Sequence, residues 1–444
     1  MKRIIFDIEA DAFLSSVTKV HCVVCLDLDS GKLRTFGPTR ILDALSYLAT
    51  ADILIAHNGL DYDMRVLKKL HSFDFKGRFY DTLVLSRLIY SDLGKDDEAL
   101  VIKKVLPPKL WGAHSMEAWG YRLGVAKEGA DIEDFSVWTQ EMQDRCVSDV
   151  MVNKALWDHL KVSDYSQQAI DLQSKVAEIT VQMTDQGWYF DVDKATELYA
   201  GLVDERERLE KDLKERFGSW QKSTGFFTPK RDDKKRGYTK GVPIERFETV
   251  SFNPGSRHHI AYVLQRQGWK PKEWTESGQP KLDEEVIGAL PYPEAKLIHS
   301  YLLIQKRIGQ IAEGDNAWLK LVDKGVIHPR YNVGGTVTGR CAHSTPNIAQ
   351  VPKVQKNKDG TPKLGQAGGW GWECRELFTV PKGWSLVGAD KQGLELRCFA
   401  HYLAKYDKGA YAQVVTEGDP HTFNQNAAGL ETRDQAKTFI LSLG

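Results

Sequence analysis

The chain has 444 residues, with 60 Lys and Arg against 60 Asp and Glu, so its formal charge is zero. A composition of 42% apolar and 27% charged residues excludes wholesale disorder, and no apolar run approaches the roughly 20 residues of a membrane span. Six Cys in so long a chain exclude a disulfide framework and point to an intracellular protein, and zero net charge excludes only a uniformly basic one. At roughly 150 residues per domain the length predicts about three domains. Residues 1–164 hold 21 Lys and Arg against 25 Asp and Glu, which leaves a more basic remainder. An acidic module followed by a basic one suits a metal site followed by a phosphate-binding surface.

Residues 1–164 alternate strands and helices. Lys2–Ala10 reads as a buried strand, His21–Leu28 and Lys32–Phe36 as two more with Gly31 in the turn between them, and Ile41–Leu48 as a helix. Asp52–Ala56 is a short apolar strand ending at His57-Asn58-Gly59, and helices follow at about 62–70, 81–90, 115–123 and 136–161. The spacing predicts an α/β layer fold. From about 165 the pattern turns helical: Gln167–Gln186 stops at Gly187, and Asp193–Phe217 carries Leu198, Leu202, Leu209 and Leu213 as a narrow apolar stripe. Residues 221–240 read as a basic loop with seven Lys and Arg and interleaved aromatics, either a solvated loop or a DNA-contacting tip. A Gly- and Lys-rich loop spans 353–371, and a strand is predicted around Trp384–Ala389. His21-Cys22-Val23-Val24-Cys25 places its two Cys on opposite faces of a strand, so both read as structural.

Asp7 and Glu9 stand two apart on a strand, so both carboxylates point to one face within an apolar stretch. Burying them is costly unless a cation balances them, and Mg²⁺ or Mn²⁺ prefers such oxygen ligands. Asp63 follows the turn at His57–Tyr62, and Asp149 lies on a helix among Val147, Val150 and Val152. Four carboxylates can hold two metals about 3.5–4 Å apart, the arrangement for in-line phosphoryl displacement. Phe6-Asp7-Ile8-Glu9, Asn58-Gly59-Leu60-Asp61-Tyr62-Asp63 and Cys146-Val147-Ser148-Asp149 together resemble the three motifs of the DEDD proofreading 3′–5′ exonucleases. The resemblance implies a ribonuclease H-like fold and makes Asp7, Glu9, Asp63 and Asp149 metal ligands. The family orients the attacking water with a Tyr four residues before the last Asp or a His five before; here those positions hold Arg145 and Asp144.

Tyr331–Pro352 contains the pair Gly334-Gly335, which permits close backbone approach, and Arg340, Asn347 and Gln350, which can donate to phosphate or to minor-groove acceptors. Its Thr338-Gly339-Arg340 and Pro346-Asn347 resemble a segment of family A (polymerase I-type) DNA polymerases. Leu386-Val387-Gly388-Ala389-Asp390 running into Gly393-Leu394-Glu395-Leu396-Arg397 resembles motif A of that family. The resemblance makes Asp390 a catalytic metal ligand and Glu395 the steric gate against a ribose 2′-hydroxyl. Arg433 and Lys437 share one helix face at i, i+4. They resemble the motif B cations that grip the incoming triphosphate, with His421 nearby. Lys391, followed by Gln392, departs from the small or aromatic residue usual directly after the motif A Asp.

Runs such as Asp81–Leu88, Glu117–Gly124, Gln305–Gln310 and Asp434–Ile440 extend the similarity over essentially the whole chain, within family A to the replicative polymerases of T-odd-type podophages. The resemblance implies a DEDD exonuclease domain over 1–164, a linker and helical thumb over 165–330, and a partial palm with the start of fingers over 331–444. It implies Mg²⁺, with Mn²⁺ as a substitute. The implied partners are primer–template DNA, a single-stranded 3′ end and dNTP, in the cytoplasm of an infected bacterial host. The stretch between Trp220 and Phe252 is much shorter than the thumb insertion with which some members recruit host thioredoxin, which argues against that partner. Motif C, His-Asp-Glu, is not found, and the second palm carboxylate with it. The expected protein is therefore the N-terminal portion of a replicative polymerase completed by a second polypeptide. The alternatives are a stand-alone exonuclease and an inactive primer–template-binding remnant.

Overall fold

A computed structural model describes residues 1–125, 132, 134–275 and 277–442. They form two compact units, Met1–Val380 and Pro381–Gly444. No helix among the described residues is long and apolar enough to cross a membrane.

The first unit opens with β1 (Arg3–Ala10), β2 (Val20–Asp27), β3 (Leu33–Phe36), α1 (Ile41–Leu48), β4 (Ile53–Ala56), α2 (Asp63–His71), β5 (Arg78–Asp81), α3 (Thr82–Ile89), α4 (Leu93–Ile102), α5 (Met116–Leu123) and α6 (Gln140–Leu160). The strands make one sheet in the order β3-β2-β1-β4-β5, antiparallel on the β2 side of β1 and parallel on the β4 side. Helices cover both faces, so β1 is apolar on both, and its side chains divide by parity. Ile4, Phe6 and Ile8 pack with α1 and α2, whereas Ile5 packs with Cys146 and Val150 of α6. Asp7 and Glu9 continue the Ile5 face. Cys22 and Cys25 of β2 fall into the two different cores, both fully buried, as the Cys-x-x-Cys spacing on a strand requires.

The unit continues with α7 (Gln167–Gln186), β6 (Trp188–Phe190), α8 (Val192–Phe217), β7 (Ser219–Phe227), β8 (Ile244–Ser251), α9 (Arg257–Arg266), α10 (Glu284–Gly288), α11 (Pro293–Ile308), α12 (Trp318–Leu321), β9 (Val322–Asp323), β10 (Val326–Ile327), β11 (Arg330–Asn332), β12 (Ala342–Ser344), α13 (Gly365–Gly368), α14 (Gly371–Glu376) and β13 (Phe378–Thr379). On α8 the predicted stripe is the packed face: Leu202 and Leu213 are fully buried, with Leu198 and Leu209 packed beside them. A small sheet, β13-β6-β10-β9, lies next to this core.

Two predicted elements differ. The basic stretch 221–240 is not a loop throughout, because its first residues belong to β7, which pairs with β8 in an exposed two-stranded hairpin. Nearly every side chain of the hairpin faces solvent; besides the backbone pairing it is held by a few cross-strand contacts, such as Gln221 to Thr249 and Arg246 over the Phe227 ring, and by Trp220 stacked on Tyr262. No strand forms at Trp384–Ala389. The apolar residues there are exposed, Trp384 by 72% and Val387 by 86%, and no described strand lies alongside to bond their backbone. A strand satisfies its N–H and C=O groups only through a neighbour.

The second unit is helical: α15 (Leu394–Asp407), α16 (Ala410–Glu417), α17 (Pro420–Ala428) and α18 (Arg433–Ser442). Its core is small, built on Leu396, Ala400 and Val415 with Tyr411, Ala412 and Ile440 beside them.

Candidate metal centre

β1 brings Asp7 and Glu9 to the face covered by α6, and α6 returns Asp149 to the same place. Its Arg145, Cys146 and Asp149, at i, i+1 and i+4, share the helix face that meets β1. Carboxylate oxygens of Asp7, Glu9 and Asp149 all lie within 4.8 Å of one another, the only such group of acids among the described residues. The Cys146 thiol donates to Asp7 Oδ2 at 3.3 Å.

Asp63 comes from the other side of the strand. β4 pairs with β1 only as far as Ile5, so beyond that point this edge of β1 has no strand partner. Asp63, at the first position of α2, accepts the Ile8 N–H at 3.2 Å. The turn that delivers it is tightly specified. Asn58 has φ +61°, and a Cβ on Gly59 would lie 2.6 Å from Ala56 Cβ and 2.8 Å from Phe79 Cζ, so only glycine fits.

These acids repel one another at a partly buried site, with Asp63 fully buried and the other three half-buried. Burial, then Asp63, Asp149 and Glu9, push Asp7 well above the usual carboxylate range. Burial foremost holds Asp63 up at about 7, with Asp81 and Glu9 adding to it against the bonds it accepts. A divalent cation removes that penalty. The donor set is all carboxylate oxygen, which suits Mg²⁺ or Mn²⁺, so the residues fit such an ion. The sign of the pH dependence follows. Asp63 holds in the folded chain a proton that the unfolded chain releases above its ordinary 3.8. The metal-free fold therefore loses stability as pH rises from about 4 to about 7. Over the same range Mn²⁺ competes with that proton, so Mn²⁺ affinity is expected to rise with pH up to about 7. Calorimetric titrations in buffers of different ionisation enthalpy are expected to show proton release on binding.

Arg145, which stands where the exonuclease motif would have Tyr, enters the acid group. Its Nε lies 3.9 Å from Glu9 Oε1 and its side chain is 28% exposed.

The remaining sequence-predicted residues lie elsewhere. Arg340 and Gln350 are exposed, and Asn347 uses its side-chain oxygen to cap the short turn at Ile348–Gln350, accepting the Ala349 N–H. In the second unit Asp390 and Glu395 are exposed, the former in the unpaired segment and the latter in the first turn of α15. Arg433 and Lys437 do share a face of α18. Arg433, however, makes a two-pronged contact with Asp419, Nε to Oδ2 at 2.8 Å and Nη2 to Oδ1 at 3.1 Å. Asp419 also caps α17 by accepting the N–H groups of His421 and Thr422. The buried Nδ1 of His421 has no hydrogen-bond partner. Sequence reasoning missed Asp419 because its partner is fourteen residues away and only the fold joins them.

Comparison with known proteins agrees with this architecture. Residues 241–440 match the family model described as DNA polymerase family A. The chain is 36% identical to the DNA-directed DNA polymerase of Escherichia phage T7 and 35% identical to that of Enterobacteria phage T3. Each match covers 98% of this chain and 74% of the relative. Among solved structures, the POL domain of Pol1 from M. smegmatis, in complex with DNA primer-template and dNTP, superposes with a TM-score of 0.63. That match covers 99% of this chain and 67% of the other at 15% identity, which speaks for the fold alone. Identity at this level, over nearly the whole chain and three quarters of its relatives' length, places the protein: it belongs to DNA polymerase family A.

Proposed function

We propose that the chain is part of a phage replicative DNA-directed DNA polymerase, and that residues 1–164 form its proofreading 3′–5′ exonuclease, with a ribonuclease H-like fold. The observation that carries this reading is the half-buried group of Asp7, Glu9 and Asp149 on β1 and α6, with Asp63 bonded to the same strand. Asp7, Glu9, Asp63 and Asp149 would hold divalent cations, which would supply activation of water near neutral pH and charge stabilisation for the leaving 3′ oxygen. The protein's part is to fix the four carboxylates on three elements, β1, α2 and α6, and to hold Asp63 through the Ile8 N–H. The thiol of Cys146 keeps Asp7 oriented. The substrate is the single-stranded 3′ end of DNA. The test is release of a 3′-terminal label from a single-stranded oligonucleotide with and without Mg²⁺; release that is insensitive to EDTA sinks the reading.

Arg145 sets the rate in this proposal. It occupies the water-orienting position without a hydroxyl, so trimming by the wild type is slow. Arg145→Tyr is expected to speed 3′ trimming on the order of tenfold to a hundredfold, the scale of effect that positioning of a reactant commands. Single-turnover release of the 3′ nucleotide measures it, and an unchanged rate argues against the assignment.

For synthesis, Asp390 is the palm metal ligand, Glu395 the ribose gate, and Arg433, Lys437 and His421 the triphosphate contacts. Arg340, Asn347 and Gln350 contact primer–template DNA. Two-metal transfer needs a second palm carboxylate, which has to come from residues outside these 444, in the same polypeptide or in a second one.

A further inference from the structure

The turn that carries Asp63 toward the acid group has another side. There His57, Asn58 and Leu60 line a cleft of about 410 Å³ together with residues of α3, α7 and the Arg330–Val333 segment. Arg87 of α3 lines it, half-buried. Among the described residues its guanidinium has neither a hydrogen-bond acceptor nor an ion-pair partner, and burial lowers it from its ordinary value. The field of Asp81 reaches it. The Asp81 carboxylate, however, already accepts the N–H groups of Asn58, Leu60, Leu83 and Val84. Asp61, also in the lining, is held by Arg65 at 2.9 Å. Burial, with Arg87 and Arg122 beside it, pushes His114 down to about 4, so that imidazole is neutral near pH 7 and adds no charge. The exposed Arg330 supplies a second guanidinium to the lining, its Nη1 3.9 Å from Asp61 Oδ2, a loose ion pair that an arriving anion has to displace.

The β11–β12 turn closes tightly here. A Cβ on Gly334 would lie 3.3 Å from Arg87 Cβ and 2.9 Å from Gln173 Nε2. The fold thus confines a cation that it does not pair. A desolvated guanidinium without an acceptor opposes folding, and Met would fill the same space without that cost. Its planar fork matches two oxygens of a phosphate.

We propose that this cleft is an anion site in which Arg87, with Arg330, takes the phosphate of a nucleotide: either an internucleotide phosphate of a single DNA strand or the phosphate of a free deoxynucleoside monophosphate. The strand form of the ligand rests on the nuclease reading above; the anion site does not.

The test uses the full chain in EDTA, so no divalent ion and no turnover enter. Anisotropy of a 5′-labelled oligo(dT) of eight nucleotides and calorimetry with dTMP are the two probes. Arg87→Gln is expected to weaken binding about ten- to a hundredfold, the range of hydrogen bonds to a charged group. Arg87→Met is expected to raise the melting temperature of the ligand-free chain, which loss of a merely structural arginine would lower. Weakening of both probes assigns the site to a terminal phosphate, and weakening of the oligonucleotide alone assigns it to an internucleotide one; either supports the proposal. Equal binding by wild type and Arg87→Gln, or no binding of either probe by the wild type, overturns it. Asp7→Ala is expected to leave this binding intact, so the nuclease reading and the anion site fail separately.

Discussion

Asp7→Ala is expected to lower Mg²⁺-dependent release of a 3′-terminal nucleotide on the order of a thousandfold, while the metal-free chain becomes more stable. Both effects have one cause. Asp7 sits where burial and three neighbouring carboxylates all oppose its charge, so the metal-free fold gains nothing from it. Its value lies in what it holds. With Asp7 gone, Glu9 and Asp149 are left as the other members of the close group. A metal contribution of several kcal/mol is then lost, which is on the order of a thousandfold in rate. Two measurements check it: rapid-quench kinetics on a 3′-labelled single strand, and thermal melting in EDTA. A destabilised Asp7→Ala chain would make Asp7 a scaffold residue, and equal cleavage by wild type and variant would remove the nuclease altogether.

The largest effect on stability is expected away from any site. Asp97 of α4 and Arg122 of α5 form a pair whose side chains are 1% and 6% exposed. Nε donates to Oδ1 and Nη2 to Oδ2, each at 2.8 Å, and the Gly112 N–H donates to Oδ2 at 2.7 Å. The guanidinium lies over the Trp119 ring, 4.9 Å from its centroid. Asp97→Ala strands a buried cation and a backbone N–H, and is expected to cost about 3–5 kcal/mol. Replacing both partners, Asp97→Leu with Arg122→Met, is expected to recover most of that loss, because no charge is then left unpaired. Denaturant titration of the two variants decides it. A double variant as unstable as the single one means that packing, not charge, holds α4 to α5.

The same pair marks where the sequence stops being readable. The first strands, α1, α6 and α7 are legible because their apolar residues recur at period 2 or 3.6, and Asp7 and Glu9 stand out as acids at period 2 inside an apolar run. β5 is not legible, since Arg-Phe-Tyr-Asp is too short to show alternation. Nor is α4, where Gly94 and three consecutive acids interrupt any apolar period. The β7–β8 hairpin escapes because neither strand buries a face. The segment Trp384–Ala389 shows the converse failure: its residues suit a strand, but strand formation belongs to a pair, not to a segment. Among site residues, the convergence of Asp149 with Asp7 rests on α6 crossing β1, and the resemblance, not the spacing, points to it. Arg87 gives no signal at all, since an unpaired guanidinium is defined by what is missing around it.

The clasp between Arg433 and Asp419 has a consequence for selectivity. In the resting chain this arginine is already neutralised, so a passing polyanion meets a closed ion pair instead of an open cation. In the proposed triphosphate role of Arg433, admission would be an exchange reaction, phosphate oxygen for carboxylate oxygen. Since Asp419 also caps α17, the exchange is linked to the start of that helix. A ligand that offers only diffuse charge gains little from the trade, and one that brings several phosphate oxygens at once can complete it.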